Sequence, residues 1–372
     1  MAKKIVIISN ISGSLKSFRG ELIKSWRDLG YEVYAMAPEF KSDHLEWFKA
    51  NNINTKEYYL DRSSLNPVND YKTYQSLKEK LKEINPDYIF AYTIKPVIYS
   101  SIISNSLDLK GMYSLIPGLG YSFMNMDLKN KLVNFVVSGL YKYSLDNNDL
   151  VFFQNHDDQE LFINKGFITE NKTAVVNGSG VDIEHYYDTE NSLDPVRFLI
   201  ICRLLKSKGV KDYIEAAKKV KKVYPKVEFD ILGGPGKGPD ALDMEYVEKA
   251  DEARIINYHG RQNDVRPYIE DANVYVLPSY YREGTPRSIL EAMSMGKAII
   301  TTDNPGCRET VIDGVNGYMI PVERSNILAD RMISLIDDTD KIIEMGRESR
   351  RIAEEKYDVH KVNKDIIEKM GL

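Results

Sequence analysis

Residues 4–36, KIVIISNISGSLKSFRGELIKSWRDLGYEVYAM, decide the fold. Ile5 to Ser9 is a continuous apolar, β-branched run that ends in the loop Asn10-Ile11-Ser12-Gly13-Ser14. Phe18, Leu22, Ile23 and Trp26 then recur at helical spacing. Gly30 stops that helix, and Glu32 to Met36 forms a second extended run closed by Pro38. Strand, helix and strand in this order make a βαβ unit, whose two strands run parallel.

The alternation continues outward. Helices are expected near 43–51, 70–84 and 128–145, and strands near 54–59, 88–92, 111–116, 150–154 and 173–176. The polar stretch 188–195 reads as a linker. A second series follows it: a strand at 197–202, an amphipathic helix at 210–224, and a strand at 227–232 leading into Gly233-Gly234-Pro235-Gly236. Short strands at 255–258, 274–277, 298–302 and 317–320 complete it. The chain therefore reads as α/β with two parallel-sheet halves, 1–187 and 188–357, facing a central cleft. Chemistry is expected in loops at the carboxyl ends of the strands.

Composition bounds the function classes. The 372 residues suffice for two cores, and 50 Lys and Arg against 55 Asp and Glu give a net charge of -5, which argues against a strongly basic nucleic-acid binder. Two cysteines, Cys202 and Cys307, are too few for a disulfide framework, so a reducing compartment is expected. The apolar run at 5–8 is too short for a signal peptide, and no uninterrupted apolar stretch of about eighteen residues appears. A chain that is soluble or rests on a membrane surface is expected.

The richest segment is Pro278 to Ala292, PSYYREGTPRSILEA, which leaves a strand, crosses a loop at Gly284 and opens a helix near Pro286. Unpaired amides at an exposed helix start attract phosphates and hydroxyls. Glu283 precedes the loop and Glu291 is placed about two turns into the helix, so the two carboxylates can hold different parts of one extended ligand; a solvated Glu291 is the plainer reading. Cys202 to Gly209 forms a strand-to-helix loop in which Arg203 and Lys208 could neutralise a diphosphate, or be ordinary solvated surface. Gly233 to Gly238 would admit a ligand at close range.

Taken together, these segments resemble a retaining glycosyltransferase of family 4, whose GT-B fold consists of two Rossmann-like domains. Glu283 and Glu291 match the family's E-x7-E signature, and Arg203 with Lys208 matches its R-L-x-x-x-K-G donor-phosphate pair. The resemblance implies that Arg203, Lys208 and Glu283 are catalytic, with Glu283 on the transferred sugar and Glu291 on the donor ribose. It also implies that amides of Gly284, Thr285 and Pro286 hold sugar hydroxyls, and that Gly233 and Arg261, in the loop His259 to Val265, complete the donor site. Asp61 to Pro67, Tyr92 to Pro96, Pro117 to Tyr121 and Phe153 to Asn155 are similar to enzymes of bacterial surface-polysaccharide assembly that extend undecaprenyl-diphosphate-linked sugars.

Many members place a His near the reacting sugar in the first domain. The corresponding loop here, Ile116 to Gly120, has none, and His156 reads as a surface loop residue. Gly13, Ser14, Thr93, Lys95, Gly118 and Gly120 are therefore the expected acceptor contacts. The resemblance further implies a nucleotide-sugar donor, expected to be UDP-linked, no metal or other cofactor, and a terminal helix at 358–372 that packs back on the first domain. The expected partners are that donor and a polyprenyl-diphosphate-linked glycan, with a cytoplasmic location and peripheral contact with the inner face of the membrane. Lys129, Lys131 and Lys142 flank Leu132, Val133, Phe135, Val136, Val137 and Leu140, a pattern that fits an anionic lipid surface but is explained more simply by a buried core helix. A nucleotide-sugar epimerase and a non-catalytic sensor are the alternatives. A dinucleotide dehydrogenase is disfavoured because the first loop lacks G-x-G-x-x-G.

Overall fold

The computed structural model describes residues 2–62, 66–119, 128–189 and 192–372, with the side chains of 128–134 excepted. The chain divides into two units, 1–179 with 359–372, and 180–358.

The first unit runs β1 (Lys4–Ile8), α1 (Ser12–Asp28), β2 (Glu32–Ala37), α2 (Ser42–Ala50), β3 (Asn54–Glu57), α3 (Pro67–Ile84), β4 (Tyr88–Tyr92), α4 (Ile94–Ser104), β5 (Gly111–Ile116), α5 (Leu128–Leu145), β6 (Leu150–Phe153), α6 (His156–Asn164) and β7 (Thr173–Val175). Its parallel sheet has the order β3-β2-β1-β4-β5-β6-β7. The unbroken run in β1 is explained by burial on both faces: Ile5 and Ile7 join one core cluster, Val6 and Ile8 the other. Each such side chain contributes roughly 1.5–3 kcal/mol.

The second unit runs β8 (Arg197–Ile201), α7 (Val210–Val223), β9 (Glu228–Leu232), α8 (Met244–Glu252), β10 (Asn257–Tyr258), α9 (Arg266–Asp271), β11 (Val274–Leu277), α10 (Arg287–Ser294), β12 (Ala298–Thr302), β13 (Gly317–Ile320), α11 (Ser325–Asp337) and α12 (Thr339–Ile352). Its sheet order is β10-β9-β8-β11-β12-β13, again parallel. In both sheets the order reverses beside the first strand, between β1 and β4 and between β8 and β11. Such a reversal leaves the crevice in which open α/β sheets bind ligands.

The final helix, α13 (Val359–Lys369), belongs to the first unit: Val362, Ile366, Ile367 and Met370 share a cluster with Ile5 and Trp26, and the Tyr113 hydroxyl donates to the Met370 carbonyl at 2.7 Å. The division after residue 179 precedes the polar stretch 188–195 because Val181 and Tyr186 are already buried in the second core, with Val181 N donating to Tyr357 O at 2.8 Å.

Local readings change in five elements. α1 starts at Ser12, so Gly13 and Ser14 are helical and not loop residues. Residues 94–104 and 156–164 are helices, and His156 opens the second of them as an exposed residue. α5 is not a buried core helix throughout. Tyr141 and Leu145 are buried, whereas Phe135, Val136 and Tyr143 are exposed. Finally, α10 begins at Arg287, so Glu291 lies about one turn in, not two. Among the described residues no helix is long and apolar enough to cross a membrane.

Candidate functional site

The reversal between β8 and β11 in the second unit is flanked by two charged loops, one after each strand. After β8 the chain passes exposed Arg203 and a 3-10 turn at Lys206–Lys208, and reaches Gly209 at φ 72°. A Cβ on Gly209 would lie 2.0 Å from the Pro278 carbonyl oxygen, so only glycine lets the two strand-end loops approach. Tyr280 N and Tyr281 N donate to Ser207 O at 2.8 and 2.9 Å, fastening the loop after β11 to the loop after β8.

That fastening brings Lys208 to Glu283. The Lys208 ammonium donates to Glu283 Oε1, and the two side chains are only 13% and 12% exposed. Lys208 Nζ also lies 4.8 Å from the centre of the Tyr281 ring. Ser279 Oγ donates to the same Glu283 oxygen at 3.2 Å. Burial works against the lysine charge, but Glu283 outweighs it and holds the ammonium above its ordinary range. The neighbouring Cys202 thiol is pushed up to about 12, chiefly by burial, and so stays protonated and is no nucleophile near neutral pH.

Glu291 is not solvated: its side chain is 13% exposed, and Oε1 accepts from Tyr186 OH and from Arg287 Nε, each at 3.0 Å. Burial raises its carboxyl above the usual range, while Arg287 and the Tyr186 hydroxyl pull it back. Gly284, Thr285 and Pro286 are buried rather than an exposed helix mouth, and Pro286, with no N–H, cannot donate to a sugar hydroxyl. Gly306, at φ 81°, backs this loop: a Cβ there would fall 2.0 Å from Gly284 O.

Gly233 sits at φ 146°, and a Cβ would lie 1.7 Å from Cys202 O, so this turn also needs glycine. Gly233 N donates to Gly260 O at 2.8 Å, joining the turn to the loop that carries exposed Arg261. His259 Nε2 is 2.6 Å from Asp230 Oδ1, and its ring centre is 4.9 Å from that of Tyr268.

The reversal in the first unit is furnished differently. Ser14 Oγ donates to Ile11 O at 2.8 Å and lies 2.9 Å from both Ser9 Oγ and Tyr92 OH. Thr93, between β4 and α4, has φ 73° and ψ 153°, a region that strains any residue with a Cβ. Its hydroxyl is buried without a hydrogen-bond partner among the described residues. Lys95 is not a free cation: it donates to Asp70 Oδ1 at 2.7 Å and Asp61 O at 2.6 Å. Gly118 follows β5 at φ 116°, and Gly120 lies outside the described residues.

The structure thus brings together Arg203, Lys208 and Glu283 on adjoining loops, with Gly233 behind Cys202. The residues missed by sequence reasoning are Tyr186, Ser279, Tyr281, Arg287 and Gly306. Arg287 was findable, since it precedes Glu291 by one helical turn. Tyr186 carries no local signal. Among the described residues no group of three or more His, Cys, Asp or Glu side chains could hold a metal ion.

Residues 195–338 match the family described as Glycosyl transferases group 1. The N,N'-diacetylbacillosaminyl-diphospho-undecaprenol alpha-1,3-N-acetylgalactosaminyltransferase of Campylobacter jejuni is 27% identical over 349 residues, covering 90% of each chain. Sucrose-phosphate synthase from Thermosynechococcus elongatus superposes with a TM-score of 0.80 at 16% identity, over 99% of this chain and 98% of that one. Anabaena HepE in complex with UDP-glucose gives 0.79 at 19% identity, over 99% of each. By that match and that homology, the chain is a homologue of bacterial glycosyltransferases, and its residues 195–338 form a glycosyl transferases group 1 domain.

Proposed function

We propose that the protein is a retaining glycosyltransferase that moves a hexose or N-acetylhexosamine, such as N-acetylgalactosamine, from a UDP-linked donor to a polyprenyl-diphosphate-linked glycan. The observation that carries this reading is the Lys208–Glu283 pair at the strand-order reversal of the glycosyl transferases group 1 domain, with Arg203 on the same loop. When the donor's sugar bond breaks, negative charge grows on the departing diphosphate. A protonated Lys208 and the Arg203 guanidinium supply fixed positive charge for it, of a kind that typically contributes a few kcal/mol each to the transition state. Glu283 holds the ammonium in place and keeps it charged until a diphosphate competes for it.

Glu291, oriented by Tyr186 and Arg287, is assigned to the donor ribose, and Gly233 and Arg261 to the nucleotide. Thr93, Ser14 and the glycine turn at Gly118 are assigned to the acceptor. Retention follows if the acceptor hydroxyl attacks from the face the diphosphate leaves, its oxygen replacing the diphosphate oxygen on the sugar carbon and its proton passing to that departing oxygen. With two cations in place, the reaction needs no metal. The relative from Campylobacter jejuni, named for a lipid-linked acceptor, supports the acceptor class, and the UDP-glucose complex of HepE guides the first donor to try. The reaction then takes place at the inner face of the cytoplasmic membrane, in surface-glycan assembly.

The test is a panel of UDP-, GDP- and dTDP-sugars with a polyprenyl-diphosphate disaccharide, run with and without chelator. A UDP-sugar is consumed only when acceptor is present, chelator leaves the rate unchanged, and Lys208→Ala and Glu283→Ala lose turnover while their melting profiles show a folded protein. Consumption of no nucleotide sugar, or conversion of donor alone to an epimer, refutes the reading.

A further inference from the structure

The second unit contains a cavity of about 260 Å³ at the opposite end of its strands from Glu283, lined among others by Asp188, Leu193, Lys297, Ile342, Ile343 and Arg347. Lys297 stands immediately before β12 (Ala298–Thr302), and it is Thr302, at the other end, whose hydroxyl donates to Ser279 O in the donor loop. Four steps along a strand separate the two ends by about 13 Å. The cavity is therefore distinct from the site described above.

Its electrostatics are unbalanced. Lys297 is 2% exposed, and its ammonium makes one hydrogen bond, to the Glu270 carbonyl oxygen at 3.1 Å. Among the described residues no carboxylate stands within ion-pair distance of it. Arg347, exposed at the rim, has no hydrogen bond or ion pair with any described residue. A buried ammonium with no carboxylate in ion-pair contact carries a desolvation cost that the more distant Asp188, Glu270 and Asp271 offset only in part, and an arriving anion would reduce it. One wall is apolar, from Leu193, Ile342 and Ile343, and the Asp188 carboxylate on the lining opposes a second negative charge. The volume falls just under the roughly 300 Å³ at which pockets for drug-sized molecules begin.

We propose that this cavity binds a small organic monoanion, with its acidic head between Lys297 and Arg347 and its apolar body against Leu193, Ile342 and Ile343. The shape and charge favour a short branched carboxylate over a phosphate, which carries more charge and no apolar part. Burial depresses the Lys297 ammonium to about 8, against the opposing pull of Asp188, Glu270 and Asp271. Affinity for the anion therefore declines as pH rises through about 8 and Lys297 loses its proton.

The experiment titrates the full chain, without nucleotide sugar, with isovalerate, acetate and inorganic phosphate by calorimetry and by NMR. Isovalerate binds tighter than acetate and phosphate, and both Lys297→Met and Arg347→Gln weaken it about tenfold or more, the scale of a lost charged hydrogen bond. Arg347 is exposed, so its variant tests the head-group contact without altering the core. Absence of isovalerate binding at millimolar concentration overturns the proposal. So does equal affinity in the wild type and both variants, or a preference for phosphate. No donor is consumed in this assay, so its failure leaves the glycosyl-transfer reading untouched.

Discussion

Tyr186→Phe isolates one hydrogen bond at the proposed donor site. The ring stays, so the packing of a side chain that is 9% exposed is retained, and only the hydroxyl that donates to Glu291 Oε1 at 3.0 Å is removed. A hydrogen bond to a charged group contributes about 1.5–3 kcal/mol. If it is made chiefly to the ionised carboxylate, its loss moves the Glu291 carboxyl further upward. The direction is fixed by the structure: burial already raises this carboxyl, and the Tyr186 hydroxyl is one of the two groups opposing that rise. Folding stability follows the same sign. A carboxyl whose folded pKa exceeds its unfolded one weakens the fold at neutral pH, and the cost fades as pH falls through the folded value toward the unfolded one. The deficit of Tyr186→Phe relative to wild type is accordingly greatest near neutrality and shrinks on acidification. UDP affinity, measured by calorimetry from about pH 5 to pH 9, drops in the variant at a higher pH than in wild type. The two curves converge at the alkaline end, where both carboxyls are ionised. A variant curve that overlays wild type, or one displaced toward lower pH, refutes the assignment of Glu291 as an ionised acceptor oriented by Tyr186.

Three further outcomes are expected. Lys208→Met strands the 12% exposed Glu283 carboxylate and costs about 3–5 kcal/mol in denaturant unfolding. Adding Glu283→Gln recovers most of that stability while transfer activity stays lost, and a double variant as unstable as the single one contradicts the pairing. Thr93→Gly relieves a backbone at φ 73°, gaining about 1–3 kcal/mol against a glycine entropy cost of about 0.5–1 kcal/mol. It thus melts higher, with UDP affinity unchanged and kcat/KM for the acceptor reduced; unaltered acceptor kinetics remove Thr93 from the acceptor site. Lys297, depressed to about 8, binds its proton more weakly in the folded chain than in the unfolded one, so its cost is fully present below pH 8 and disappears toward the unfolded value. Lys297→Met therefore raises the melting temperature at neutral pH, and the gain, at most about 3 kcal/mol, vanishes near pH 10.

What the sequence made legible was whatever chemistry writes locally. The β1 run, the stop at Gly30 and the charged loops after β8 and β11 each carry their cause within a few residues. α4 did not, because eight of its eleven residues are buried and no polar face gives it a helical stripe. A proline in its first turn, Pro96, also suggests a break to the eye although that position tolerates it. The start of α10 near Pro286 was legible, but the depth of Glu291 was not: counted eight residues from Glu283 it reads as two turns in, whereas counted from the helix start at Arg287 it is one. The Tyr186–Glu291 bond spans 105 residues of sequence, and nothing near either residue announces it.

The two strand-order reversals show why the second unit, the proposed donor half, is the more readable. In the second unit the reversal between β8 and β11 is closed by an ion pair of nearly buried groups, and an ionic pair at a loop junction requires particular residue types at particular places. In the first unit the reversal between β1 and β4 holds the hydroxyls of Ser9, Ser14 and Tyr92 in mutual contact beside a strained Thr93. Ser, Thr and Tyr are common residues whose hydroxyls carry no charge signature, so that half leaves only a diffuse trace in the sequence. The difference also matches the chemistry proposed for each. A diphosphate has fixed charge and selects for fixed countercharge, whereas an acceptor hydroxyl and its sugar are neutral and are met by neutral donors and acceptors. Specificity for the acceptor is therefore expected to lie with the first unit's hydroxyl cluster, and retention of the donor with Lys208 and Arg203.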